Sequence, residues 1–459
     1  MRGRAAWLAA GVAAAMVAAL PGCHGQSQRG TGKPNLILIV TDDQRWDSLS
    51  AMPDVRRLLG AHGVTFSNAF VTTSLCCPSR TSILTGEYSR HTGVYADVPP
   101  NGGAPSFKDR STLATWLQAG GYTTALVGKY LNSYTLLGPT YVPPGWNTWD
   151  AVASVPIVNY YDYTLNENGK LARYGDLPSD YSTLVLQGLA TRFIQQARTP
   201  FFLYYAPIAP HLPATPAPSD LERFRGLPPF HSPSLNEANV SDEPWASQHP
   251  PLSPKQVATA SVFRDRMLAS LQAVDRSVAA IVQSVADRGQ LANTVIGFIS
   301  DNGFLLGEHR MYLQKIWPYE ESIRVPMVIR VPWLTAGRTD PHLVLNIDLA
   351  STFAELAGIK PGLPQDGRSL VPLLRGEAVP WRTDFVEEFL GRDQSFNGGP
   401  PPFEAVRTER YLYVEYANGW RELFDIRSDP HELSNLAGLP SAAATQTTLA
   451  RRLAELLRE

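Results

Sequence analysis

Polar side chains suited to chemistry follow directly on apolar runs at several points in the chain. Residues 35–40 read NLILIV and are followed by Thr41, Asp42 and Asp43. Residues 294–299 read TVIGFI and lead into Ser300, Asp301, Asn302 and Gly303. Residues 123–127, TTALV, precede Gly128 and Lys129, and residues 200–205, PFFLYY, precede the stretch APIAPH that ends at His211. Acidic oxygens plus an amide carbonyl, with no cluster of cysteine ligands, suit a hard dication such as Ca²⁺ or Mg²⁺. Carboxylates gathered at one place repel each other, and a dication removes that cost. Each piece alone has an ordinary explanation. Asp-Asp after a strand commonly caps a helix or turns the chain, and Asp-Asn-Gly is a turn tripeptide. Their joint placement favours function.

The runs that carry these residues are continuous, apolar and rich in β-branched side chains, as is 325–331. Such runs read as strands buried on both faces, hence a parallel sheet. Helical patterns lie between them, at Thr112–Ala119, Ser253–Arg288 and Asp348–Leu356. In the longest, Ser253 is a suitable N-cap, Pro254 fits the first helical position and Gly289 stops the helix. Val274, Val278, Ile281, Val282 and Val285 form its apolar stripe. The predicted class is α/β, a mainly parallel central sheet flanked by helices, and in such sheets ligands bind outside the carboxyl ends of the strands. Residues 211–256 form a proline-rich excursion without periodicity. After about Trp381 the texture changes to a smaller α+β lobe: segments 410–415 and 420–424 flank the turn YANG, and a helix over 442–457 closes the chain. The expected division is 1–32 export signal and tether, 33–380 catalytic domain, and 381–459 C-terminal subdomain.

Composition narrows the function classes. Of the 459 residues 44% are hydrophobic, which excludes wholesale disorder, and 40 basic against 42 acidic residues leave a net charge of −2. A near-neutral chain advertises no nucleic-acid partner. Three cysteines, Cys23, Cys76 and Cys77, exclude a disulfide framework. The chain opens with Arg2 and Arg4 and an uncharged apolar run from Ala5 to Leu20, which fits an export signal. The ending LPGC at 20–23 resembles a bacterial lipobox. That resemblance implies cleavage before Cys23, lipid on its sulfur, and an exported protein anchored in the cell envelope.

Residues 76–86 read CCPSRTSILTG. They match Cys-x-Pro-Ser-Arg followed by Leu-Thr-Gly, and the chain resembles the formylglycine-dependent sulfatases within the alkaline-phosphatase superfamily. The signature cysteine stands two before the proline, so Cys76 is the residue the family oxidises to formylglycine, and Cys77 fills the variable position. In the family the hydrated aldehyde attacks sulfur through one hydroxyl. The other then releases sulfate without a water attack. Pro78 and Ser79 open a helix whose N-terminus favours an anion, and Arg80 adds fixed charge. The resemblance implies calcium ligation by Asp42, Asp43, Asp301 and Asn302, with an oxygen of modified Cys76 beside the metal. It assigns sulfate binding to Lys129 and Lys315, and contact with the ester oxygen to His211, a general acid for the leaving alcohol. It also implies a formylglycine-generating enzyme during maturation.

Many relatives carry a histidine two or three positions after the lysine of Gly-Lys, where this chain has Leu131 and Asn132. Asn132 is left to hydrogen bonding with substrate. GKYLN at 128–132, the double cysteine, PGW at 144–146 and YYDYTLNENG at 160–169 resemble the N-acetylglucosamine-6-sulfatases and heparan 6-O-sulfatases. They imply a sulfated glucosamine-type sugar as substrate. Tyr160–Tyr163 fits a sugar platform or a core strand equally well. His309, in the GEH of 307–309, has two roles open, substrate contact or shaping a loop. Two alternatives accompany the sulfatase reading: a phosphodiesterase or phosphonate monoester hydrolase, because the esters share shape, and a non-catalytic glycan-binding protein if Cys76 stays a thiol.

Overall fold

All seven side chains of the first strand, β1 (Asn35–Thr41), are buried, because the strand lies in the middle of a sheet covered on both faces. The structure is a computed structural model that describes residues 32–155, 158–334, 336–391 and 399–459. The segment expected to be an export signal, and Cys23, where a lipid anchor is expected, lie outside the described residues. Nine further strands complete the large sheet: β2 (Val64–Phe70), β3 (Thr123–Gly128), β4 (Thr148–Val152), β5 (Tyr163–Glu167), β6 (Lys170–Tyr174), β7 (Phe201–Ala206), β8 (Thr294–Ser300), β9 (Met327–Arg330) and β10 (Arg338–Leu345). Their order is β10-β2-β9-β8-β1-β7-β3-β4-β5-β6.

The central strands β8, β1, β7, β3 and β4 are parallel, so their carboxyl ends share one edge. β9 differs from the expectation for 325–331. It runs antiparallel between β2 and β8. Burial on both faces dictates an apolar pattern and does not dictate strand direction.

Two helix layers cover the sheet. On one face the helices Cys76–Thr85, Leu113–Ala119 and Asp348–Ala357 share a core with Leu36, Leu38 and Val40. On the other, the helices Ser182–Gln196 and Pro254–Asp287 pack on Ile37 and Ile39. The long helix begins where its caps predict. Ser253 accepts the Gln256 amide, Gln256 reaches back to the Ser253 amide, and Pro254 occupies the first turn. The valine and isoleucine stripe read from its sequence is buried along its whole length.

Within residues 211–253 the one helical element described is a short turn, Pro218–Asp220. The excursion is nevertheless tied down. Arg276 grips Asp220 at 2.6 Å, and buried Trp245 donates to Tyr319 Oη and Glu422 Oε1.

The C-terminal lobe is an antiparallel sheet of β11 (Asp384–Phe389), β12 (Phe403–Thr408), β13 (Tyr411–Tyr416) and β14 (Arg421–Asp425), in that order. The helix Ala443–Leu456 sets Leu449, Leu453 and Leu456 against one of its faces. The other face shares a core with Leu75, Trp245, Leu305, Trp317 and Tyr319 of the main body. The lobe therefore packs on the segment between β8 and β9.

Candidate active site

The carboxyl ends of β1, β3, β7 and β8 deliver acids and bases to one buried place. Asp42 and Asp43 leave β1, Asp301 and Asn302 leave β8, and all four are buried. Lys129 follows β3 through Gly128, whose φ is +120° and where a Cβ would stand 2.0 Å from the Ala206 carbonyl oxygen. Only glycine lets the chain pass β7 that closely. Asp43 itself has a left-handed φ of 62°, strain of the kind stored at functional sites.

The signature segment forms the helix Cys76–Thr85, buried at every position, with Gly86 closing it in a left-handed C-cap. Cys76 begins the helix, so its sulfur stands at the positive end of the helix dipole. Its Sγ is 2.7 Å from Lys315 Nζ and 3.5 Å from Asp42 Oδ1. Cys77 points into the apolar core, away from these groups.

A lattice of ion pairs binds the cluster. Lys129 Nζ donates to Asp42 Oδ2 at 2.6 Å, and Lys315 Nζ to Asp43 Oδ1 at 2.5 Å. Arg80 Nε donates to Asp301 Oδ2 at 2.7 Å and Nη1 to the Lys129 carbonyl at 3.1 Å. Asn302 Nδ2 donates to Asp43 Oδ1 at 2.6 Å, and the Asp43 amide to Asp301 Oδ1 at 3.1 Å. His211 Nε2 lies 3.5 Å from Asp43 Oδ2. The other ring nitrogen, Nδ1, is 2.7 Å from the Leu212 carbonyl, which fixes the ring.

These contacts set the protonation states. Burial works against an ionised Asp42, yet Lys129, His211, Arg80 and Lys315 together hold its carboxyl far below the usual range. Burial, then Asp42, pushes Asp301 up against the pull of Arg80 and Lys129. Burial pushes the Cys76 thiol well up despite Lys129 and Lys315, so this sulfur is a protonated thiol and a poor nucleophile as it stands. Burial also lowers His211, outweighing Asp43 and Asp42.

The donor set fits a hard dication. Asp42, Asp43, Cys76 and His211 each offer a ligand atom within 4.8 Å of the others. Asn302 Oδ1 is buried without a hydrogen-bond partner among the described residues, an orphaned carbonyl oxygen of the kind such a cation takes.

Asn132 is set differently. Its Oδ1 is buried without a partner among the described residues, and it lines a cavity of about 310 Å³ with Asp97, Ser133 and Val155. His309 is not brought to the site, and of its two open roles the structure favours shaping a loop over substrate contact. It has no exposed surface, stacks on Tyr319 at 3.9 Å, and sits between Glu237 and Glu321. The loop turns it inward with φ 50° at His309 and 60° at Arg310. Tyr160 and Tyr163 are likewise core residues, stacked on Tyr181 and Tyr174.

Two supporting roles escape sequence reasoning. Asp97 accepts the Cys77 amide at 2.8 Å and so fastens the first turn of the signature helix. It lies in a loop without periodicity, and no sequence signal marks it. Tyr160 Oη donates to the His211 carbonyl at 2.7 Å and braces the histidine loop.

An α/β sheet with a buried cysteine at a helix N-terminus and an acid cluster at its carboxyl edge has the layout of the alkaline-phosphatase-like fold. Solved structures agree on that fold. A structure described as BT4656 in complex with its substrate D-glucosamine-2-N,6-O-disulfate superposes with a TM-score of 0.78 at 24% identity, over 93% of this chain and 98% of that one. The phosphonate monoester hydrolase of Agrobacterium radiobacter gives 0.77 at 24% identity, over 93% and 96%.

The sequence comparisons give the family. The family model described as Sulfatase matches residues 34–359, and that of the N-sulphoglucosamine sulphohydrolase C-terminal region matches 307–459. The human N-acetylglucosamine-6-sulfatase is 32% identical over 474 residues, 92% of this chain and 85% of that protein. The Drosophila melanogaster extracellular sulfatase SULF-1 homolog is 35% identical over 381 residues, and the chain spans about a third of its length, 34%. The chain belongs to the sulfatase family and is a sulfuric ester hydrolase by that membership.

Proposed function

We propose that the protein hydrolyses sulfate esters on a glucosamine-type sugar, such as N-acetylglucosamine 6-sulfate or a heparan-type glycan, with Cys76 as the source of its nucleophile. The observation that carries this reading is the position of Cys76 Sγ at a helix N-terminus, 2.7 Å from Lys315 Nζ and beside Asp42. Identity to N-acetylglucosamine-6-sulfatases over most of both chains supports the sugar class.

Oxidation of Cys76 by a formylglycine-generating enzyme supplies an aldehyde whose hydrate is the nucleophilic hydroxyl. Asp42, Asp43, Asp301 and Asn302 would hold calcium, or magnesium in its place, which would supply positive charge to the site. Lys129 and Lys315 pair with Asp42 and Asp43, and their ammoniums would bind sulfate oxygens at this place. Arg80 holds Asp301 and braces the Lys129 carbonyl. His211, fixed through Nδ1, turns Nε2 toward the leaving oxygen, and its imidazolium form would give the alcohol a proton there. Asn132 Oδ1 accepts a hydrogen bond from the sugar.

Localisation follows the same reading. Among the described residues no helix is long and apolar enough to cross a membrane. We place the protein outside the cytoplasm, held in the envelope by lipid on Cys23. Labelled fatty acid is expected on the wild type and absent from Cys23→Ala.

The deciding experiment is mass spectrometry of the peptide containing Cys76, where formylglycine lowers the mass by about 18 Da. An unmodified thiol in active protein contradicts the reading. A higher rate on a phosphate diester or phosphonate monoester than on a sulfated sugar replaces the substrate class.

A further inference from the structure

The inward turn of His309 creates a second constellation outside the catalytic cluster. His309 Nε2, Glu321 Oε2 and Glu432 Oε1 are buried, and each lacks a hydrogen-bond partner among the described residues. Their ligand atoms lie within 4.8 Å of one another, with His309 Nε2 3.8 Å from Glu321 Oε2. They come from the loop after β8, the helical turn Glu320–Ile323 and the stretch after β14.

The opposite polar atom of each side chain is already held. His309 Nδ1 faces Glu237 Oε2 at 3.3 Å, Glu321 Oε1 accepts from Ser234 Oγ at 3.0 Å, and Glu432 Oε2 accepts the Glu320 amide at 3.0 Å. Each residue is thus oriented by one atom and leaves the other without a hydrogen bond within the cluster. Outer partners orient metal ligands in this way.

Charge points the same direction. The neighbouring carboxylates Glu308 and Glu320 have arginine partners, Arg45 and Arg407, each at 2.8 Å. Arg310 is committed to the carbonyls of Glu237, Ala238 and His249. Among the described residues Glu237 and Glu321 form ion pairs with His309 alone, and Glu432 forms none. Burial, then Glu320 and Glu321, pushes Glu432 well up, so it stays a neutral acid unless further positive charge joins the cluster.

We propose that His309, Glu321 and Glu432 form a second cation site, which takes a first-row transition dication such as Zn²⁺ or Mn²⁺. One imidazole with two carboxylates suits these ions better than calcium. The ion is structural: it fastens the segment bearing Lys315 to Glu432 of the C-terminal lobe.

The test is the metal content of the full-length protein after exposure to excess Zn²⁺ and desalting, read by mass spectrometry. At least one equivalent of zinc per chain is expected in the wild type, and about one in Asp43→Asn, which is impaired in metal binding at the catalytic cluster. Glu432→Gln and His309→Gln are expected to lose that equivalent. Loading Asp43→Asn with Co²⁺ is a second readout that spares the proposed ligands, and a visible absorption band of a nitrogen- and oxygen-ligated cobalt ion is expected. Absence of the zinc equivalent and of the cobalt band from folded protein overturns the proposal. So does equal zinc in soluble Glu432→Gln and His309→Gln. Either result leaves His309 as an imidazolium shared between its carboxylates, protonated up to about 10 because Glu237 and Glu321 outweigh burial.

Discussion

Carboxylates at two places on the large sheet are treated in opposite ways. At the carboxyl edge of β1 and β8, buried Asp42, Asp43 and Asp301 each touch a lysine or arginine. On β4, Asp150 stands opposite Glu167 of β5. There it lines a cavity of about 730 Å³ beside the helix Ser182–Gln196, with Arg192 the nearest opposing charge in effect. Burial, then Glu167, pushes Asp150 up to about 6 against Arg192. That cavity sets Asp150 and Glu167 among Lys170, Arg192 and Arg198 without a nucleophilic side chain, and the carboxyl edge gathers acids, bases, a cysteine and a helix N-terminus. Convergent charge, more than cavity size, marks the functional end of this sheet.

The sharpest way to break this comparison is at Cys76. Cys76→Ala is expected to lower turnover of a sulfated sugar by at least about 10³-fold. Cys77→Ala is expected to keep most activity, and the reverse ranking would reassign the nucleophile. Lys315→Ala removes the ammonium nearest the sulfur, and kcat is expected to fall about 10²-fold or more. An unchanged kcat would show that the charge lattice does not act on the reaction. Prolonged dialysis against a calcium chelator is expected to lower activity about 10-fold or more and calcium to restore it. Full activity in calcium-free protein would remove the metal from the reading.

The smallest effect is on stability at the other end of the sheet. Asp150 binds its proton more tightly when folded than at the ordinary value of 3.8. Its protonated form therefore favours the folded state, fully so below that value, and the contribution is lost as pH rises through about 6. Asp150→Asn is expected to gain on the order of 1–3 kcal/mol in denaturant unfolding at pH 8, and little at pH 4. Sulfatase activity should not change. An equal gain at both pH values would point to packing rather than charge.

Strands that are apolar throughout are legible in the sequence: β1, β7 and β8 lie where the runs NLILIV, FFLYY and TVIGFI stand. β2 and β10 are not. β2 carries Thr65, Ser67 and Asn68, and β10 carries Arg338, Asp340, Pro341 and His342. These two pair with each other in parallel across 274 to 275 residues of chain, so the register that makes them strands is a long-range fact. The helix Ser182–Gln196 is equally hidden. It has no side-chain N-cap and ends without a glycine, so its boundaries carry no local signal.

The candidate site divides along the same line. Local sequence determined the signature helix and the acids placed just after β1 and β8, and it is the ground for expecting modification at Cys76 rather than Cys77. Spacing to a proline, caps and apolar runs are properties of a few consecutive residues. Tertiary structure decided that Lys315 meets the sulfur of a residue 239 positions away, that Asp97 fastens the helix start, and that His309 turns inward. Left-handed residues bend the segment that carries Lys315, including Ile316 at φ 81°, a conformation no β-branched residue adopts unless its surroundings impose it. Packing against the C-terminal lobe supplies those surroundings, and no local pattern in the chain encodes them.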